Sequence, residues 1–438
     1  MNSLRQKARL SAALAALLFV TLLPTPVAAQ YLEDSIYVGY GTSYLEYNLR
    51  RKEVWGAYNA YPGRYFALIC STNQAYAGSQ LPEPSCVACD SIDGKAYVSF
   101  YDSVAMLTKA NQGVKKRIGL SSAGDLAWDP VSNCLFVACD EDDKVAVMDC
   151  HTDSIVGYIT TDLEPFRLDL NMTGRRLFVT NDGSRTVSVI DVDSLRVIRT
   201  LPIPGGVRTS RYCYSGNKYY CSSDDGVYVL DGTTGERLTL VTGALHVWAM
   251  VPAEADGLVL AGYSVSTPPD SVYIISTLTD SIVGRRPLGG TSPFCMAWSP
   301  TTGLVYSANF DGVSVLSLHG LNPPKRFCVS GRPLVALSVP EYHRVYVGCM
   351  ETEWLYCFRD TVSGVAEPPQ RTPLLTSPAT ILGATYLHSG PAPAELVDAA
   401  GRKVVSIILG TNDLSSLPAG VYSVISPSSA PVRILKPR

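Results

Sequence analysis

Three acidic runs carry the most obvious ligand chemistry in this chain: Asp140-Glu141-Asp142-Asp143, Ser223-Asp224-Asp225 and Glu351-Thr352-Glu353. Clustered carboxylates can hold Ca2+ through oxygen, which makes Asp140, Asp142 and Asp143 candidate metal ligands and Ca2+ the one cofactor to consider. The runs lack the regular Asp spacing and glycine of an EF-hand loop. Solvated hairpin turns, which Asp suits for local backbone reasons, are the competing expectation. Twelve cysteines come next. The pair Cys86 and Cys89 is the only Cys-x-x-Cys, and Asp90 follows where covalent haem attachment needs His. No second such pair completes a zinc site. The thiols therefore read as small core residues, with two disulfides to weigh against that: Cys134 with Cys150 near-opposite across a hairpin, and Cys349 with Cys357 on a diagonal. The five histidines, His151, His246, His319, His343 and His388, include no pair at metal-ligand spacing. No nucleophile elbow, phosphate-cradling loop or His-Glu-x-x-His is present.

The elements that must position these residues announce themselves by repetition. Apolar runs begin near Val54, Ala96, Leu135, Leu177, Tyr219, Leu258, Leu304 and Val345, roughly 40 residues apart. Each is followed, after a polar turn, by a second apolar run ending in a polar residue, as in Val145–Asp149 or Val187–Asp191. Such a period with several short strands per repeat predicts a β-propeller. Continuous rather than alternating apolar runs fit strands covered on both faces by neighbouring blades. Aligning the strands that precede these runs puts Cys86 in one column with Asp125 and Cys295, and Cys89 with Trp128 and Trp298. The count is eight blades, or seven if the first or sixth repeat is irregular.

Thr152-Asp153-Ser154-Ile155-Val156-Gly157 recurs verbatim as Thr279–Gly284, and Asp34-Ser35-Ile36 near the N-terminus looks like the same strand. The last repeat ends without a fourth strand of its own. The expectation is ring closure, with Ser35–Gly39 as the outer strand of the eighth blade, which removes free sheet edges. Arg176–Asn181, the turn at Asp182–Arg185 and Val187–Asp191 resemble the YVTN-type propeller repeat. The likeness spans roughly residues 34–360 and implies fold, not activity, since such propellers include binding modules and enzymes.

Arg5, Lys7 and Arg9 before the apolar stretch Leu10–Leu23, then Val27-Ala28-Ala29, read as a signal peptide over residues 1–29. The stretch is shorter than the about 20 residues that span a bilayer. No later segment is apolar enough to span. Removing it leaves 33 basic against 39 acidic residues, a balance that disfavours nucleic acid as partner. The propeller is assigned to residues 30–360 and a Pro-rich linker to 361–380. A small β-sandwich-like domain is assigned to 381–438. In that last segment Asp398-Ala-Ala-Gly401-Arg402, Leu417-Pro418-Ala419-Gly420-Val421-Tyr422 and the basic Val432–Lys436 resemble the sorting domain of the type IX secretion pathway. The resemblance implies engagement of secretion machinery and an extracytoplasmic, secreted or cell-surface address. An accessory β-domain with no sorting role is the alternative.

Two functional readings remain. One is a non-catalytic binding or scaffold module meeting a protein or glycan at the propeller face. There Tyr58, Tyr61 and Tyr101 stand near the turns between second and third strands, and His246 and Trp248 near the central channel. The other is a propeller enzyme of lyase or lactone-hydrolase type with a metal-assisted site in that channel.

Overall fold

The computed structural model describes residues 28–59, 63–264, 270–318 and 323–362, then 380–381, 385–388, 394–398, 402–407, 410–413, 416–417, 420–426 and 429–436. The expected signal peptide up to Val27 and linker residues 363–379 lie outside them. The chain divides into two compact units, residues 1–365 and 366–438.

The first unit is an eight-bladed β-propeller made of eight antiparallel four-stranded sheets. Blades 1 to 8 occupy residues 44–81, 84–119, 123–160, 165–202, 210–241, 247–287, 293–327 and 333–362, the last completed by residues 28–37. The first and sixth repeats, weakest in sequence, are full blades, which settles the count at eight. Innermost strands of adjacent blades touch in succession, and Pro333–Val339 of blade 8 meets Tyr44–Asn48 of blade 1 to close the ring.

The continuous apolar runs follow from this stacking. Leu177 and Val179 pack between blades 3 and 4, whereas Phe178 between them points into the interface of blades 4 and 5. Successive strand residues face opposite sides, so a strand buried on both needs apolar residues throughout. One apolar cluster fills each of the eight interfaces between blades.

Polar staples add to these cores. In blade 2, Lys95 Nζ and Tyr97 Oη donate to Asp153 in blade 3 at 2.9 and 2.7 Å. Lys218 Nζ and Tyr220 Oη of blade 5 reach Asp280 of blade 6 at 2.9 Å each. The hexapeptide that occurs twice thus answers a Lys-x-Tyr element that also occurs twice, each in the preceding blade.

The N-terminal strand Ala28–Tyr37 takes the outer place in blade 8, antiparallel to Trp354–Val362. Closure is therefore as the sequence indicates, but its register is not. The bulge at Glu33 corresponds to the bulge at Val156, so Asp34 stands in the place of Gly157 and Ile36 in that of Ile159. The likeness of Asp34-Ser35-Ile36 to Asp153-Ser154-Ile155 misaligns the strand by four residues. The shift crosses that bulge and so changes faces: Ile36 packs toward blade 1 as Ile159 packs toward blade 4, whereas a match to Ile155 would have turned it toward blade 7. Glu33 pins the strand through Arg344 and Arg359, each 2.6 Å away.

The second unit is all-β. Thr380–Ile381, Ser429–Lys436, Gly420–Ser426, Ala394–Asp398 and Lys403–Ile407 form a five-stranded sheet in that spatial order, beside a ribbon of Thr385–His388 with Gly410–Asp413. Leu396 and Tyr422 are buried in it.

Candidate binding site at the channel mouth

Inner strands begin at the same end of the channel where the turns between second and third strands project. Several inner strands open with a bulge, whose extra residue is released from pairing and re-aimed. That residue is Phe166 in blade 4, Trp248 in blade 6 and Phe294 in blade 7. All three rings are exposed, as are Tyr101 (62%) and Phe310 in the turns of blades 2 and 7. The opposite end exposes aliphatic side chains such as Leu49, Val131 and Leu278, together with Tyr214.

Just before the bulges, Glu83, Ser122, Glu164, His246 and Ser292 all hold positive φ between 46° and 56°. This conformation is uncommon outside glycine and turns the chain from one blade into the next. His246 therefore serves the turn by its backbone, its carbonyl accepting the Ser264 N–H at 3.2 Å, while its ring is exposed. Trp248 lies under the Arg208 guanidinium, 4.8 Å from the ring, and Arg208 also pairs with Asp224 of the second acidic run.

Between blades 1 and 4 the mouth opens into a cavity of about 270 Å³, lined among others by Tyr44, Tyr101, Asp125, Asp140, Phe166 and Arg167. Tyr44, Cys86, Asp125 and Arg167 share one register position in four successive blades. Cys86 Sγ contacts Asp125 Oδ1 at 3.1 Å, and Asp125 Oδ2 accepts the Leu168 N–H at 2.9 Å. The Arg167 guanidinium stacks 5.3 Å from the Phe166 ring, and its buried Nε has no hydrogen-bond partner. Burial alone would weaken the Arg167 charge. Asp125, Tyr44 and Asp169 outweigh that and hold its pKa above the usual value.

Two residues further along each strand, Glu46, Asp169 and Arg211 come from blades 1, 4 and 5. Glu46 is exposed to the water of the channel, within the ring of inner strands. That enclosure, with Asp125 nearby, pushes its carboxyl up to about 7. Enclosure also raises the Asp169 carboxyl from its ordinary value, against the pull of Arg211 and a 2.6 Å hydrogen bond from Ser210. Burial pushes the Tyr44 hydroxyl up to about 12.

Of the residues singled out in sequence, Tyr101 and Asp140 meet at this cavity. Tyr58 is half-buried, its ring edge against Gly41, and Tyr61 lies outside the described residues. Asp142 and Asp143 turn elsewhere. Asp142 pairs with Lys144 at 3.5 Å, and Asp143 Oδ1 accepts the Glu164 N–H at 2.9 Å. Among the described residues no group of three or more His, Cys, Asp or Glu is arranged to hold a metal ion.

All twelve cysteines are free thiols. Neither expected disulfide is brought together. Cys134 lies beside Cys150 on the paired strands, but Cys150 packs between blades 2 and 3 and Cys134 between blades 3 and 4. Cys349 faces blade 7 and Cys357, opposite Tyr346, faces blade 1. Each pair straddles a sheet, a geometry no disulfide spans. Sequence reasoning missed Arg167, Glu46, Asp169, Arg211 and Phe166. A signal for Arg167 existed: the column aligning Cys86 with Asp125 and Cys295 continues to it.

Neither a protein-family model nor a curated protein matches this chain. Among solved structures, it is similar to a chain in a crystal structure of the mitotic checkpoint complex, with TM-score 0.53 and 12% identity over 76% of this chain and 92% of that one. A chain of the Kuenenia stuttgartiensis hydrazine synthase aligns with TM-score 0.44 and 15% identity over 51% of this chain and 72% of that one. At these identities the likeness to the first is one of propeller fold alone.

Proposed function

We propose that this chain is an exported, surface-displayed β-propeller that binds a protein or glycan at its channel mouth without catalysing a reaction. One observation carries the reading: Phe166, Trp248, Phe294, Tyr101 and Phe310 are exposed together on that mouth. Aromatic side chains are enriched where surfaces are built for contact, because they bring large area at low ordering cost. Export is supported by the basic and apolar stretches before Gln30, and delivery to the surface by the Gly401-Arg402 and Pro418–Tyr422 segments. The repeat itself is read as YVTN-type. No helix among the described residues is long and apolar enough to cross a membrane.

A thermal-melt screen of the mature chain against oligosaccharides, peptidoglycan fragments, peptides and Ca2+ tests the binding reading. A ligand at a hundredfold its Kd adds about 2.7 kcal/mol of stability. Substituting Trp248 and Phe166 by Ala together should abolish the shift. A flat screen leaves only a scaffold role.

A second reading, acid–base catalysis in the channel, has Glu46 in its favour. A carboxyl near 7 is suited to donating and accepting protons at neutral pH. Turnover of a screened ligand that Glu46→Gln abolishes would establish it.

A further inference from the structure

We propose that the cavity between blades 1 and 4 is a subsite for one end of a neutral saccharide, an inference that rests on the binding reading above. Its volume of about 270 Å³ lies just below the roughly 300–1,000 Å³ of small-molecule sites, enough for the terminal ring of a glycan.

The lining chooses the chemistry. Glu83, Asp125 and Asp140 present acceptor oxygens, while the Arg167 guanidinium presents donors only. A carboxylate ligand would be repelled by the three acids, and an ammonium ligand drawn to them would meet the Arg167 guanidinium, which it cannot hydrogen-bond. A hydroxyl both donates and accepts, so a polyol satisfies both sets at once without bringing a charge of its own. Ser85, Ser122 and the Tyr44 hydroxyl extend the same two-way pattern. The Arg167 side chain lines the cavity, and its buried Nε lacks a protein acceptor.

Rings complete the set. Tyr101, exposed above the cavity, and Phe166, held against Arg167, offer flat faces on which the C–H side of a sugar ring packs. Asp125 is already positioned by Cys86 and the Leu168 N–H, and Asp140 by its place at the start of a short 3-10 turn. Groups held in this way cost little to organise on binding.

The test is calorimetric titration of the full mature chain with neutral mono- and disaccharides, alongside an amino sugar, a uronate and a basic peptide. A neutral saccharide should bind. Tyr101→Ala, and separately Arg167→Lys, should weaken it roughly tenfold or more, as loss of a central contact does, while Leu278→Ala at the opposite end of the channel leaves it unchanged. Tyr101 is a surface turn residue, so its variant should melt with the parent and keep the test sound if Arg167→Lys fails to fold. Preference for the amino sugar or basic peptide, lost at high salt, would overturn the proposal in favour of charge recognition. Binding that only Trp248→Ala removes would preserve the binding face and sink this subsite. Silence from every arm would sink both.

Discussion

Glu46 shows how one side chain reports its surroundings. Its carboxyl is held up near 7 against an ordinary 4.5, so between those values the native chain binds more protons than the unfolded chain. Its contribution to stability is full below pH 4.5 and lost as the pH rises through about 7. Asp169 acts in the same direction. Glu33 acts oppositely: burial favours its neutral form, but Arg344 and Arg359 prevail and hold its pKa below 4.5, so its contribution is present above that value and lost on acidification. Glu46→Gln should therefore gain melting temperature on the parent as the pH rises from about 4.5 to about 7. A difference constant across that window would mean Glu46 is fully hydrated. None of this is legible in sequence. Glu46 precedes Tyr47 in an ordinary strand, and its charged neighbour Asp125 comes from another blade.

At the scale of elements, the turns between third and fourth strands double as staples. Asp153→Ala leaves Lys95 and Tyr97 without their carboxylate in a mostly buried setting. Removing one partner of a buried pair costs roughly 3–5 kcal/mol, and this pair, still touched by solvent, belongs at the lower end. Asp280→Ala should behave alike through Lys218 and Tyr220, and chemical denaturation would read both. The two sites lie three blades apart, so their effects should add. Here the sequence was informative beyond strand position: the exact recurrence of Thr-Asp-Ser-Ile-Val-Gly marks the two turns that meet a Lys-x-Tyr strand. The likeness at Asp34 misled, because local identity does not set register where a bulge intervenes.

For the whole molecule, the closing strand is the decisive joint. Deleting residues 28–37 would leave Trp354–Val362 as an open edge and remove Glu33 from Arg344 and Arg359. The deletion should lower the melting temperature of the entire propeller and promote association, seen by light scattering. An unchanged monomer would show that seven full blades and three strands suffice. Deleting residues 366–438 should leave the propeller's melting curve unchanged and abolish surface display, assayed by protease accessibility on intact cells. Display of the truncated chain would refute the sorting reading.

Period and apolar pattern determined the blades, because each strand must satisfy two packed faces, and that demand is written locally in runs such as Leu135–Cys139 and Leu177–Asn181. The closure by the N-terminus was legible for the same reason, since the last repeat lacks an outer strand. What only the tertiary structure decided is which side chains share space at the axis. Tyr44, Cys86, Asp125 and Arg167 are spread over more than a hundred residues of chain, yet the ring brings them to one mouth. It also sent Cys134 and Cys150, close in the sheet, to opposite faces. Convergence around a ring depends on which strand is innermost and which residue bulges, and neither is encoded by composition at the site itself.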